Sequence, residues 1–188
     1  MVLGIIAEYN PFHNGHKYMI DKALDTTGAD GSIALMSGNF TQRGVPAMAD
    51  KYTRAESAAL GGIDAVFELP VVYATGSSRD FALGAVGIFS HIKTVKYLAF
   101  GVEDNEPGVF DEVSEILAFE PDEYKEILAA ELAKGRTFPA ASQKGIEALL
   151  KGHGDNIHNI ISKPNNILAI SYLTAIKKID LDIKPVII

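Results

Sequence analysis

The chain contains no cysteine. That excludes disulfides, thiolate metal ligands and a thiol nucleophile, and it fits a cytoplasmic protein. No apolar run approaches the roughly 18 residues that a membrane span requires. The first residues, Met1-Val-Leu-Gly-Ile-Ile-Ala, carry no basic n-region and run straight into polar residues. They read as a first strand and not as a secretory signal. Positive charge is also scarce: 17 Lys and Arg stand against 24 Asp and Glu, for a net charge of −7 and a pI near 5.2. Surfaces that grip long nucleic acids are usually basic, because phosphate neutralisation dominates their affinity. A nucleic-acid substrate would therefore be held mainly by something outside these residues. No internal repeat or low-complexity segment is evident.

What is present is an ordinary α/β composition: 188 residues, 47% hydrophobic and 22% charged, enough for one domain with a sizeable core and an appendage. Val2–Ala7 is short, apolar and bounded by a polar turn, as a buried parallel strand is. An amphipathic helix is predicted over 14–26, with Tyr18, Met19 and Ala23 on one face, then a strand over 32–37 and a polar loop over 38–49. A helix over 50–60 stops at Gly61-Gly62, and a strand over 65–69 ends at Pro70. Ser77 or Ser78 caps a helix running through Phe81 to His91, and 95–100 is a fourth strand. Strands alternating with helices predict βαβ units: a Rossmann-like (HUP-type) parallel sheet with helices on both faces.

From Phe110 the pattern turns helical, with segments predicted over 111–119, 122–134 and 142–150. A flexible stretch, 151–156, leads to Ser162-Lys-Pro-Asn-Asn, which caps a helix over 167–178. Ile183-Lys-Pro-Val-Ile-Ile reads as the beginning of a fifth strand, so the chain is expected to be a fragment or a natural truncation. The expected division is a nucleotide-binding core over 1–109, a helical appendage over 110–162, and a return helix with the last core strand over 163–188.

The segment Glu8-Tyr9-Asn10-Pro11-Phe12-His13-Asn14-Gly15-His16-Lys17-Tyr18 follows strand one and opens helix one. His13-Asn14-Gly15-His16 is an HxGH pattern. Its glycine lets backbone approach a phosphate, and the helix start supplies amide donors and partial positive charge. The two imidazoles can donate to phosphoryl oxygens and stabilise charge developing on a pentacoordinate phosphorus. Zinc binding by His13 and His16 is a weaker rival, because a third ligand such as Glu8 would have to be recruited.

The loop Ser37-Gly38-Asn39-Phe40-Thr41-Gln42-Arg43-Gly44 gathers amide, hydroxyl and guanidinium groups at the end of strand two. Gln42 and Arg43 could hold a carboxylate or acyl-phosphate, or the loop could be an ordinary polar one. Asp50 and Arg54, at i and i+4, could simply form a surface ion pair, or Lys51 and Arg54 could instead point at a substrate pocket. Tyr73, Arg79 and Asp80 suit core or capping roles. His91, His153 and His158 have no partner pattern and read as structural or exposed.

The stretch Gly4-Ile-Ile-Ala-Glu-Tyr-Asn-Pro-Phe-His-Asn-Gly-His resembles the tRNA(Met) cytidine acetate ligase family, within the HxGH nucleotidyltransferases. The resemblance continues in family order through Met36-Ser-Gly-Asn-Phe-Thr-Gln-Arg-Gly-Val-Pro-Ala, Asp50-Lys-Tyr-Thr-Arg-Ala-Glu and Glu68-Leu-Pro-Val-Val-Tyr-Ala. Phe100-Gly-Val-Glu and Lys163-Pro-Asn-Asn-Ile-Leu-Ala-Ile-Ser-Tyr complete it. It implies a two-step enzyme: ATP and acetate form acetyl-adenylate, and the acetyl group passes to the wobble cytidine of elongator tRNA(Met).

By the same resemblance, His13 and His16 are catalytic and face the phosphates. ATP is wrapped by Ala7, Glu8, Tyr9, Asn10, Pro11, Phe12, His13, Asn14, Gly15, His16, Lys17, Tyr18, Met19 and Ile20. Gly101 admits the adenine or ribose, and Asn165, with Asn166 as alternate, bonds the nucleotide. Ser37, Gly38, Asn39, Gln42, Arg43 and Lys51 form the substrate or phosphate loop. Mg²⁺ accompanies ATP, with no metal site of the protein's own. The family's chains are roughly twice this length, and tRNA contact falls mainly to their C-terminal domain. Two further readings stand beside this one: an adenylyltransferase acting on a phosphorylated metabolite, and a truncated ATP-binding module without catalysis.

Overall fold

A computed structural model describes residues 1–153 and 156–188, without the side chains of 153 and 156. The expectations for His153 and for part of the flexible stretch lie outside the described residues. Five parallel strands run in the order β3-β2-β1-β4-β5: β1 Val2–Ala7, β2 Gly31–Ser37, β3 Ala65–Leu69, β4 Val95–Phe100 and β5 Lys184–Ile187. The first strand is central. The chain winds outward from it through α1 (Asn14–Thr27) and α2 (Lys51–Leu60). It then returns through α3 (Val71–Ala74) and α4 (Ser78–His91) to lay β4 on the other side of β1. The remaining helices are α5 (Pro107–Phe119), α6 (Asp122–Ala133), α7 (Phe138–Leu149), α8 (Asn156–Ser162) and α9 (Pro164–Ile179), and α9 leads into β5.

Period-two alternation divides the strands between two cores. Leu3, Ile5, Ala34 and Met36 pack against Ile20 and Ala23 of α1 and Ala58 of α2. Ile6, Leu35, Leu98 and Phe100 face the other way, onto Phe81, Val86 and Phe89 of α4 and Ala169 and Leu173 of α9. Helices therefore cover both faces, which is the doubly wound, Rossmann-like arrangement. Gly4 makes the second layer fit: a Cβ there would lie 3.0–3.1 Å from Val95 and Phe89. The second core continues without a break through Val109, Phe110, Val113, Tyr124 and Ile146 into the helices after β4.

The helix starts depart from the sequence expectations where proline sets them. Pro164 opens α9 three residues before the predicted start, and Thr137 with Pro139 opens α7 four residues earlier than Ser142; Pro is pre-organised for a first turn. The short α3 fills the interval between the predicted strand over 65–69 and the helix capped by Ser77. Its Tyr73 lies against Gly84, and Ser77 caps α4 through Asp80. His91 and His158 do have partners, Gly87 O at 2.8 Å and Glu147 Oε1 at 2.8 Å.

Candidate functional site

Because α1, which follows β1, and α5, which follows β4, pack on opposite faces of the sheet, the carboxyl ends of β1 and β4 part and leave a crevice, the usual ligand position in such sheets. A cavity of about 610 Å³ fills it. One wall is the segment after β1. His13 is the N-cap of α1, with its Nδ1 accepting from Gly15 N–H at 3.1 Å, while His16 Nδ1 accepts from His13 N–H at 3.2 Å. Two imidazoles thus build a capping box of the kind usually made by a hydroxyl and a carboxylate. With both Nδ1 atoms accepting, each neutral ring carries its proton on Nε2, as a donor.

The rings are stacked, with centroids 3.7 Å apart, and Tyr9 and Phe12 stand 5.0 and 5.5 Å from His16. Burial in this cluster, and His13 second, pushes His16 down to about 4. His16 is therefore a neutral donor at pH 7. Tyr9 itself is buried with φ +46, and its hydroxyl has no partner; burial raises its pKa. Non-glycine residues held at positive φ cluster at functional sites. Phe12 completes the cluster from below by lying on Gly61 at the end of α2, where a Cβ would collide with its ring.

The opposite wall is the start of α9, held by a buried residue. Asn166 accepts from Glu103 N–H at 2.9 Å and donates to Asp104 Oδ2 at 2.7 Å and Ile160 O at 2.9 Å. Lys163 closes the latch on Asp104 Oδ1 at 2.7 Å, and Lys163 first, then Asn166, holds the Asp104 carboxyl below its ordinary range. Asn166 is thus a structural pin, and its neighbour Asn165 is exposed and lines the cavity. Two helix starts, each a centre of partial positive charge, face one cavity in an acidic protein.

Of the residues singled out in sequence, Ala7, Glu8, Asn10, Pro11 and Met19 line this cavity, with Tyr9, Gly15 and both histidines. Gly101 and Asn165 join them from the other wall, and Gln42 and Arg43 from the loop after β2. Others lie elsewhere. Ile20 is fully buried in the α1–sheet core, Lys17 pairs with Asp21 at 2.9 Å, and Asn14 and Tyr18 are exposed. Lys51 bonds Glu68 at 2.5 Å. Ser37 is buried without a partner for its hydroxyl, Gly38 is buried beside it, and Asn39 is exposed. Asp50 and Arg54 form no ion pair: Asp50 caps α2 through Tyr52 and Thr53 N–H, and Arg54 is buried.

The cavity also has an apolar floor that the motifs did not announce, made by Ile6, Phe81, Phe100, Leu168 and Tyr172. Asn165, Leu168 and Tyr172 recur at helical spacing along α9, and that periodicity was the available signal. Among the described residues, no group of three His, Cys, Asp or Glu side chains is placed to hold a metal ion. No helix among them is long and apolar enough to cross a membrane.

The chain is 46% identical over 184 residues to the tRNA(Met) cytidine acetate ligase of Caldanaerobacter subterraneus subsp. tengcongensis, covering 97% of this chain and 45% of that protein. It is 41% identical over 187 residues to the one from Syntrophomonas wolfei, covering 100% and 45%. The crystal structure of Thermotoga maritima TmcAL bound with alpha-thio ATP matches at a TM-score of 0.93 and 42% identity, covering all of this chain and 46% of that one. This chain therefore spans about 45% of the length of its curated relatives. The profile of the HIGH Nucleotidyl Transferase family matches residues 1–188. A histidine-capped helix at the carboxyl edge of a parallel sheet, and a family match along the whole chain, place this protein in the HIGH nucleotidyl transferase family.

Proposed function

We propose that the cavity binds ATP and activates acetate as acetyl-adenylate, for N4-acetylation of the wobble cytidine of elongator tRNA(Met). The observation that carries this reading is the pair of Nε2–H donors fixed on a helix start at the carboxyl end of β1. Acetate is ionised at neutral pH and needs no general base. One of its oxygens attacks the α-phosphorus, and the bond to the bridging oxygen of pyrophosphate breaks. His13 and His16 donate to the phosphoryl oxygens, which gain charge in the transition state. Gln42 and Arg43 hold the carboxylate at the cavity mouth. Phe81, Phe100 and Tyr172 keep water from the mixed anhydride. The cytidine amine then attacks the acetyl carbonyl, AMP leaves, and the amine loses a proton.

Gly101 and Asn165 are assigned to the nucleoside, and Mg²⁺ to the triphosphate, whose charge it neutralises. Residues 1–109 and 163–188 serve as the nucleotide-binding part and 110–162 as a helical appendage. The tRNA is gripped mainly outside these residues, in keeping with the net charge of −7, and the reaction is placed in the cytoplasm. The relatives' names and the ATP analogue in the Thermotoga protein support this reading.

The test compares acceptors. Pyrophosphate release from ATP should depend on acetate. Release instead with nicotinamide mononucleotide or phosphopantetheine would make the protein an adenylyltransferase.

A substitution outside the cavity should reach this site. In Gly61→Ala, the added methyl displaces Phe12 and with it the His16 cluster. Chemical denaturation should register a loss of about 1–3 kcal/mol, and calorimetry a several-fold weaker ATP affinity. Unchanged affinity would show that the histidines do not depend on Phe12.

A further inference from the structure

Arg54 is 2% exposed and sits in the buried face of α2, one turn before Ala58. It forms no hydrogen bond to a carboxylate. Its guanidinium donates instead to four backbone carbonyls: Glu8 O at 2.5 Å and Ser37 O at 3.1 Å from Nη1, Gly38 O from Nη2, and Ala49 O at 3.0 Å from Nε. Burial lowers its pKa from the ordinary guanidinium value. The four carbonyls lie in, or at the edge of, the two loops that shape the cavity. Glu8 lies in the histidine-bearing segment, Ser37 ends β2, Gly38 begins the loop that carries Gln42 and Arg43, and Ala49 ends it.

Above Arg54 the same two loops are laced together. Glu8 Oε1 accepts from Gln42 N–H at 2.6 Å, and Asn10 Oδ1 from Met48 N–H at 2.7 Å. Within the second loop, Thr41 N–H donates to Val45 O at 2.9 Å. A planar fork with five donors can satisfy carbonyls converging from three directions, whereas a lysine ammonium has three donors in a different geometry.

We propose that Arg54 is a positioning residue that sets the spacing between the histidine segment and the Gln42–Arg43 loop, and so determines affinity for the carboxylate substrate. The kinetic part of this rests on the reading of the cavity as an ATP and acetate site. Two of the four carbonyls, of Gly38 and Ala49, belong to the Gln42–Arg43 loop and a third, of Ser37, to the strand end that leads into it, while the histidine segment has a ring cluster of its own besides its ties to that loop. Loss of the fork should therefore loosen the loop more than the histidines.

Arg54→Lys, checked for fold by circular dichroism, is the variant to measure. Hydrogen exchange at the Gln42 and Met48 amides should accelerate about ten-fold or more relative to the core amides of Ala34 and Leu98. KM for acetate should rise by about ten-fold or more, with the ATP Kd changed less than about three-fold. A folded variant with unchanged amides and unchanged KM would overturn the proposal. If the unsubstituted chain shows no acetate-dependent reaction, the reading of the site fails, and hydrogen exchange still decides the role of Arg54. If Arg54→Lys does not fold, Arg54→Ala with added methylguanidinium replaces it, with loop protection expected to return with the additive. Loss of the fold in both variants, without rescue, would make Arg54 a stabiliser of the whole protein and overturn the positioning role.

Discussion

Replacing His16 by alanine is expected to slow acetate-dependent pyrophosphate release about 10²–10³-fold, while ATP affinity changes less than about ten-fold. The asymmetry follows from what His16 does. In the proposed reaction it is one of two donors aimed at charge that develops only as the α-phosphorus is attacked, whereas ground-state binding would be shared with the helix start, Gly101 and Asn165. The substitution also removes the acceptor for His13 N–H, so His13 loses part of its support and the two effects will not be additive with His13→Ala.

A second readout comes from pH. The folded value of His16, about 4, lies below the ordinary 6.5. Between those values the unfolded chain binds a proton that the folded chain refuses. Stability is therefore lost as pH falls from about 6.5 toward 4, and is fully present above that window. His16→Ala should flatten this part of the stability profile. A rate loss below about three-fold, or a profile that keeps its slope, would remove His16 from the role given to it.

Asn165 and Asn166 are adjacent and chemically identical, and their substitutions are expected to separate cleanly. Asn166→Ala strips partners from Glu103 N–H, Asp104 and Ile160 O at a buried position. A cost of about 2–4 kcal/mol is expected, because orphaned buried polar groups bear their full desolvation penalty. Nucleotide affinity should fall with it, since the residues after β4 lose their tie to α9. Asn165→Ala leaves every one of those bonds in place. Its stability should stay within about 0.5 kcal/mol, with ATP affinity alone weakened several-fold. Equal stability losses in the two variants, measured by urea unfolding, would contradict this assignment.

The parallel sheet with helices on both faces was legible because β-branched apolar runs and amphipathic helices carry their periods openly, whereas the strand order was not. The HxGH turn was legible because its glycine and histidines sit between a strand and a helix. Other features had no local signature. Arg54 reads either as half of an i, i+4 surface pair with Asp50 or as a pocket residue, since charge spacing says nothing about which face of α2 is buried. Phe12 was grouped with the ATP-wrapping residues, yet it lies on Gly61, a contact between segments about fifty residues apart in sequence. The apolar floor is assembled from β1, α4, β4 and α9, so only the topology brings Ile6, Phe81, Phe100 and Tyr172 together. Between Asn165 and Asn166, burial alone decides which is the pin.

If ATP occupies the crevice between β1 and β4, calorimetric titration of ATP into this chain and into Gly101→Trp will distinguish the two proteins. Gly101 is exposed just after β4, where an added Cβ would meet only Ile188 O at an ordinary 3.9 Å, so the variant is expected to fold, as circular dichroism would check. One ATP per chain is expected, with affinity reduced ten-fold or more by the indole. Binding of equal strength in both proteins would place the nucleotide elsewhere and contradict the account.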